Sequence, residues 1–243
     1  MVNTLLFVVQ STNNFPIAVL KPIFLDGPGT ILLYLILFSS ILFLLLKQGR
    51  YFNFSLFIVL VFVSWTLIKN IEANKQKSFS VLNVNRISTF QFVDGKKAIL
   101  YSGAESDSSR AKVVYALEGY WYKMRIKEIQ WRTLSEISGY SLKNEVLFVK
   151  NNHFQFYNLK GMFLDEDFHI RKNVNHVKTD VAVMAGNKLL PLQRIKEIVT
   201  PDILVVDSSV PRYFTNLISS KCEQFDMNCF QVESQGAFVL SLR

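Results

Sequence analysis

Two apolar runs without a charged side chain dominate the first third of the chain. They cover residues 27–46 and 51–68, and only Lys47-Gln48-Gly49-Arg50 separates them. As helices they reach about 30 and 27 Å, close to the thickness of the hydrocarbon core of a bilayer. A core helix of a soluble protein shows a polar stripe, whereas residues 41–46 would place apolar side chains all round. The pattern predicts a transmembrane helical hairpin over residues 27–70, with a buried hairpin of a soluble protein as the alternative.

The segment before the hairpin, residues 1–26, is predicted to touch the membrane without crossing it. Its apolar stretch, residues 5–9, is too short to span. No basic segment precedes that stretch and no small-residue cleavage site follows it, so a signal peptide is not indicated. With Pro16 and Pro22 nearby, the pattern favours an interfacial or re-entrant segment.

A change in pattern after the hairpin predicts a polar connector over residues 71–77 and a folded domain over residues 78–243. Residues 78–84 and 87–93 alternate as half-buried strands do. Asp94-Gly95 predicts a hairpin turn into a strand over 96–102, and Asn151-Asn152 predicts a second hairpin. Asp107 and Ser108 can cap a helix that follows the first hairpin.

The last third of the chain has a different pattern, in which uninterrupted apolar strands alternate with helices. Strands are predicted at 181–185, 203–206, 230–232 and 237–242, and helices at 191–199 and 211–223. Such strands indicate a parallel or mixed sheet covered by helices. Hairpins followed by βα units predict an α/β sandwich.

Charge and cysteine content add little specificity. The whole chain has a net charge of +8, and from Lys69 onward 24 basic residues face 18 acidic ones. This excess suits an anionic partner, and it suits solubility equally well. More basic residues flank the hairpin than lie in its linker, which favours a cytoplasmic domain, although long domains follow the charge rule poorly. Cys222 and Cys229 are predicted to be two buried thiols, with a disulfide as the alternative in an oxidising compartment.

Candidate chemistry is sparse. His153, His169 and His176 have no metal-binding spacing, and neither a nucleophile elbow nor a glycine-rich phosphate loop is present. Asp207-Ser208-Ser209 follows a buried strand and precedes a helix, the position at which open α/β sheets bind ligands. A turn cluster that satisfies backbone groups is the alternative and the favoured interpretation. Asn85, Arg86 and Ser88 form a second candidate of the same type.

The order of the parts resembles the C-terminal end of the ComEC family, the polytopic DNA-internalisation channels of natural competence. The resemblance covers roughly residues 15–243. It rests on the strand Phe79-Ser80-Val81-Leu82-Asn83-Val84 after paired spans, on Thr179-Asp180-Val181-Ala182-Val183-Met184, on residues 201–209 and on Gln235-Gly236-Ala237-Phe238-Val239-Leu240. It implies a metallo-β-lactamase-like domain, which is a four-layer αββα sandwich.

The departures from that family's pattern bear on activity. Asn85, Arg86 and Ser88 stand where a Gly-Gln-Gly-Asp-like turn is expected, and Ser102 stands in the place of Asp-Thr-Gly. Asn187 lies where a His-rich metal motif would begin, and Asp207, Ser208 and Ser209 lie where His-His-Gly-Ser could follow. Without converging imidazoles and carboxylates, no divalent ion can be held to activate water. We therefore expect no catalytic residues, no metal and no cofactor at a degenerate site.

These observations favour a catalytically inactive, two-pass module of a DNA-uptake system in the bacterial cytoplasmic membrane. Its expected partners are the membrane, DNA, and other spans of a ComEC-type channel or further copies of the chain. Two alternatives remain: a metal-dependent nuclease or phosphodiesterase, and a membrane-anchored scaffold unrelated to nucleic acid. The chain is either a fragment, a truncated member, or a partner of a separately encoded channel.

Overall fold

A computed structural model describes residues 25–139, 142–143, 146–164, 177–186, 192–193, 195 and 199–242. The predictions for residues 1–24 and for most of the helix at 191–199 lie outside the described residues. The chain divides into two compact units, Met1–Ile71 and Glu72–Arg243.

Two long apolar helices, α1 (Gly27–Leu46) and α2 (Gly49–Lys75), follow Asp26. The Asp26 side chain accepts a hydrogen bond from the Gly29 N–H at 3.2 Å, and Pro28 occupies the first turn, as is usual where helices begin. Lys47 takes a left-handed backbone conformation with φ 47° and ends α1.

A few polar contacts join α1 to α2. The Trp65 indole donates to Asp26 Oδ2 at 3.1 Å, the Ser39 hydroxyl donates to the Tyr51 carbonyl at 3.0 Å, and the Ser40 and Ser55 hydroxyls lie 3.2 Å apart. Most of the large apolar side chains of both helices are exposed. By length and composition both helices can cross a membrane.

The second unit contains two sheets with helices between their strands. Its described helices are α3 (Asp107–Lys123), α4 (Ser135–Gly139), α5 (Arg212–Gln224) and α6 (Val232–Gln235). Its described strands are β1 (Lys77–Val81), β2 (Thr89–Asp94), β3 (Lys97–Ser102), β4 (Glu128–Thr133), β5 (Leu142–Lys143), β6 (Leu147–Lys150), β7 (His153–Phe156), β8 (Leu159–Leu164), β9 (Val177–Met184), β10 (Val199–Val206), β11 (Cys229–Gln231) and β12 (Phe238–Ser241).

Both sheets are mixed, as the sequence predicts for an α/β domain. The first has the strand order β12-β1-β2-β3-β4, in which only β3 and β4 are parallel neighbours. The second has the order β11-β10-β9-β8-β7-β6-β5. Strands β8, β9, β10 and β11 pair with one another in parallel, and β5 to β8 pair with one another as antiparallel hairpins.

The core between the sheets is rich in phenylalanine. Phe79 of β1 and Phe154 of β7 have ring centroids 4.9 Å apart, and Phe90 and Phe163 lie 4.8 Å apart. Helix α3 packs Val113, Leu117 and Trp121 on the first sheet, while α5 packs Ile218 and Cys222 with apolar residues of the second. The layers are therefore helix, sheet, sheet and helix.

The structure confirms both predicted hairpins. Gly95 has φ 58°, and Asp94 pairs with Lys97, so the first turn consists of Gly95-Lys96, one residue later than predicted. In the second hairpin Lys150 pairs with His153, and Asn151 and Asn152 take φ 49° and 64°. Paired positive φ values are typical of two-residue turns whose twist matches that of the strands.

The prediction of two free thiols is wrong, because Cys222 and Cys229 form a disulfide with a Cα–Cα distance of 6.3 Å. The sequence pattern did not indicate this pairing, because the two residues belong to different elements. Cys222 lies in the last turns of α5 and Cys229 begins β11, and the short connection between them returns the chain to the sheet.

Several boundaries differ from the prediction. Helix α2 continues to Lys75, so most of the predicted connector 71–77 is helical, and Lys77 already belongs to β1. Val199, predicted to end a helix, begins β10. Val232 begins α6 instead of ending a strand.

Candidate functional site

Strands of the two sheets bring Ser88 and Asp207 together. Ser88 lies just before β2, and Asp207 directly follows β10. The Ser88 Oγ is 2.6 Å from Asp207 Oδ2 and 2.7 Å from Ser209 Oγ. A hydroxyl carries one proton, so Ser88 can donate it to the carboxylate and accept a hydrogen bond from Ser209. The two sheets are thus joined by a hydroxyl–carboxylate contact.

The same network reaches the end of β9. The Gly186 N–H donates to Ser209 Oγ at 3.0 Å, and the Asp207 N–H donates to the Met184 carbonyl at 2.9 Å. On the other side, the Ser208 hydroxyl donates to the Val84 carbonyl at 2.9 Å. The residues that follow β1, β9 and β10 therefore meet at one edge of the domain.

Asp207 is the buried acid of this cluster, with only 1% of its surface exposed. Its Oδ2 also accepts the Ser209 N–H at 3.3 Å, while Oδ1 is buried and has no partner among the described residues. Burial raises the pKa of the carboxyl to about 6, and the hydrogen bonds from Ser88 and Ser209 oppose this shift.

An open cavity of about 830 Å³ lies beside the cluster. Its walls come from the segment after β1, the segment after β10, the beginning of α5 and one residue of α6. The lining residues are Asn83, Asn85, Arg86, Ser208, Ser209, Val210, Pro211, Arg212 and Glu233. Its size lies within the range of about 300–1,000 Å³ that is usual for ligand sites.

The structure brings most of the sequence-predicted candidates to this edge. Ser88, Asp207, Ser208 and Ser209 form the cluster, and Asn85 and Arg86 line the cavity. Ser102 contacts Thr89, the residue that follows Ser88: the two hydroxyls lie 3.4 Å apart, and the Ser102 hydroxyl also accepts the Ala104 N–H. Asn187 lies outside the described residues.

Part of the alternative interpretation also holds at Asp207-Ser208-Ser209. The Asp207 side chain accepts the Ser209 N–H, and the Val210 N–H donates to the Asp207 carbonyl, which is turn chemistry. None of these side chains caps the helix, however, because the N-cap of α5 is Pro211, which forms no side-chain cap.

Sequence reasoning missed Arg212 and Glu233 on the cavity wall. Arg212 is the second residue of the helix predicted at 211–223, which begins two residues after Asp207-Ser208-Ser209, and that position is the signal that could have revealed it. Glu233 offers no such signal, because α6 reaches the cavity only through tertiary packing.

The residues that the structure describes contain no group of three or more His, Cys, Asp or Glu side chains placed to hold a metal ion. His153 lies at the start of β7, where its ring contacts the Asn151 carbonyl at 2.9 Å. His169 and His176 lie outside the described residues.

The chain is an α/β protein in which two apolar helices precede a domain of two mixed sheets with a polar cavity at one edge. The family model of the ComEC C-terminal domain matches residues 79–242, and the chain belongs to this family. Neither the curated proteins nor the solved structures give a match.

Proposed function

We propose that the chain is a membrane-anchored module of a ComEC-type DNA-uptake system, and that its domain is a metallo-β-lactamase-like fold without hydrolase activity. Membership of the ComEC C-terminal domain family supports the role in DNA uptake. The helix–sheet–sheet–helix order of the layers supports the relationship to the αββα sandwich.

The observation that carries the proposed lack of activity is the chemistry of the cluster at Asp207. Ser88, Ser208 and Ser209 contribute neutral hydroxyls, and Asp207 contributes a carboxylate with one oxygen already engaged. Metals that activate water are held by several imidazole and carboxylate ligands. Arg86 and Arg212 on the adjacent wall would repel a divalent cation.

The exposed apolar surface of α1 and α2 supports anchoring in the bacterial cytoplasmic membrane. In lipid these side chains would be buried, and the helical backbone satisfies its own hydrogen bonds. Two helices cannot enclose a hydrophilic path for a polyanion. We therefore propose that they pack against other spans of such a channel or against further copies of the chain.

The Cys222–Cys229 disulfide supports a domain on the oxidising side of the membrane. Disulfides persist in the periplasm and on cell surfaces and are rare in the cytosol. This assignment is opposite to the orientation that the basic residues around the hairpin favour, and a domain of this length follows the charge rule poorly.

A cleavage assay with the full chain in nanodiscs tests the lack of activity. Single- and double-stranded oligonucleotides are incubated with Mg²⁺, Mn²⁺ or Zn²⁺, and metal content is measured by mass spectrometry. We expect no cleavage and no stoichiometric metal. Cleavage that EDTA abolishes, together with bound zinc or manganese, would establish the nuclease alternative.

Deletion of the gene in the organism that encodes it tests the role in DNA uptake. We expect natural transformation to be lost and to return on complementation. Normal transformation after deletion would favour a scaffold unrelated to nucleic acid.

A further inference from the structure

Two guanidinium groups on the wall of the cavity beside Asp207 have no binding partner among the described residues. Arg86 and Arg212 both line it, and both side chains are exposed. Neither forms a hydrogen bond or an ion pair with a described residue, in contrast to Arg132, which pairs with Glu136 at 3.2 Å. Five fixed N–H donors on each guanidinium are therefore available to a ligand.

The other groups on the wall leave it net positive, which favours an anion such as a backbone phosphate over a metal ion. Asn85 adds an amide, and Glu233 is the single carboxylate among the lining residues. Two positive charges against one negative charge leave a net attraction for an anion. A planar guanidinium group can donate two parallel hydrogen bonds to the oxygens of a phosphate. Such charge-assisted hydrogen bonds are stronger than those between neutral groups.

The beginning of α5 contributes to the same wall. Pro211 and Arg212 line the cavity, and α5 lacks a side-chain cap at its N-terminus. The partial positive charge at this helix end adds to that of the arginines. The next residue, Tyr213, is 77% exposed. An exposed aromatic ring beside a phosphate-binding group can stack on an unpaired base.

We propose that this cavity binds a backbone phosphate of single-stranded DNA through Arg86 and Arg212, with Tyr213 stacking on a neighbouring base. The inference rests on the proposed function, because the DNA being taken up supplies the ligand. It gives the edge formed by the residues that follow β1, β9 and β10 a role that needs no metal, namely binding of single-stranded DNA.

Binding of a fluorescent single-stranded oligonucleotide to the full chain in phosphatidylcholine nanodiscs tests this inference. The variants are R86Q, R212Q, the double variant and E233Q, with fluorescence anisotropy as the readout from 50 to 200 mM salt. We expect each arginine substitution to weaken binding about tenfold. Each should also reduce the slope of log affinity against log salt by about 0.7.

Three substitutions other than those of the arginines separate a phosphate site from general basicity. K160Q removes the same charge at the opposite end of the second sheet, where Lys160 lies beside Asp180, and we expect it to leave the affinity unchanged. E233Q removes the opposing charge from the cavity, and we expect it to tighten binding about twofold to fivefold. Y213A should weaken binding without changing the salt slope.

The outcomes distinguish this inference from the proposed function. If the wild-type chain shows no salt-sensitive DNA binding, both the cavity assignment and direct DNA binding by the module fail. If it binds DNA and the double arginine variant behaves like K160Q, only the cavity assignment is overturned.

Ligand competition identifies the source of the phosphate. Tighter binding of duplex than of single-stranded DNA would overturn the stacking arrangement. Anionic lipid in the nanodisc that suppresses DNA binding in the wild type, but not in the double arginine variant, would assign the cavity to lipid head groups and overturn the proposal.

Discussion

Asp207 holds a carboxyl group in the interior, where its neighbours are hydroxyl and amide groups. Its pKa is raised to about 6 because burial disfavours the charged form. A folded-state pKa above the unfolded value near 3.8 means that the acid contributes stability below the unfolded pKa. That contribution is lost as the pH rises through about 6, when the buried group must ionise.

The D207N substitution should therefore stabilise the domain selectively at neutral pH. Between pH 4 and pH 8, the difference in free energy of unfolding between D207N and wild type should move in favour of D207N by on the order of 3 kcal/mol. Pulse proteolysis in urea, applied to the full chain in detergent, measures this difference. A difference that does not change with pH would show that Asp207 titrates normally.

At the scale of single residues, the sequence predicted the positions that follow strands but not the opposite wall of the cavity. Asp207 and Ser88 were recognisable because polar residues flank apolar strands there. Glu233 joins them only because α6 packs near Asn83, whose side chain donates to the Val232 carbonyl at 3.0 Å. A contact between residues so far apart in sequence leaves no local pattern.

At the scale of elements, the hairpin of β7 and β8 depends on one close approach. Gly161 in β8 pairs with Phe154 in β7, and a Cβ at Gly161 would overlap the Phe154 ring. That ring also contacts Phe79 and Phe163 and cannot move without disturbing the core between the sheets. The glycine is required because it leaves room for the ring.

The G161A substitution should therefore destabilise the domain by about 1–3 kcal/mol through overpacking. Adding F154L should recover part of the loss by making room for the methyl group. G119A is the matched control, because a Cβ at Gly119 in α3 meets nothing within 4 Å. We expect G119A to stabilise by about 0.5–1 kcal/mol. Pulse proteolysis reports all three, and equal effects at both glycines would refute the packing argument.

Hairpins and helices could be predicted from local patterns, whereas sheet membership could not. Asn151-Asn152 and Gly95 indicated turns because these turns need positive φ, which asparagine and glycine tolerate better than other residues. The position of β12 beside β1, with Val81 opposite Phe238, depends on packing between the two ends of the domain. The extension of α2 to Lys75 was missed because polar residues at 69–75 resemble a linker once the apolar run ends.

At the scale of the whole molecule, the disulfide is the feature that supports the proposed orientation of the domain. Cys222 and Cys229 join α5 to β11, so the bond stabilises the helix whose beginning lines the cavity. We expect C222S/C229S to lower the free energy of unfolding by about 2 kcal/mol in oxidising buffer. A reducing agent should destabilise the wild type and leave the double variant unchanged.

Labelling in intact cells tests the orientation with the same residues. A membrane-impermeant maleimide should modify the wild-type chain only after reduction, and it should not modify C222S/C229S. Thiols that react without reduction, and only after lysis, would place the domain in the cytosol and overturn the proposed orientation.

The coarse architecture, two apolar helices followed by an α/β domain with mixed sheets, could be predicted because independent patterns agreed. The sequence shows apolar runs long enough to span a membrane, then hairpins, then βα units. In the structure, the hairpins and βα units form two mixed sheets with helices on the outer faces. The order of short motifs also identified the family before any geometry was available. The pairing of Cys222 with Cys229 could not be predicted, because spacing alone does not tell whether two thiols face each other.

The pairing of β12 with β1 has a consequence for biogenesis. One side of β1 has no hydrogen-bonding neighbour until the chain has been synthesised as far as Ser241. If the domain is exported, β1 therefore crosses the membrane before β12 does. Until β12 arrives, the unpaired N–H and C=O groups along this side of β1 are accessible to chaperones or to a second nascent chain. Vectorial delivery from the ribosome then makes closure of the first sheet one of the last steps in maturation.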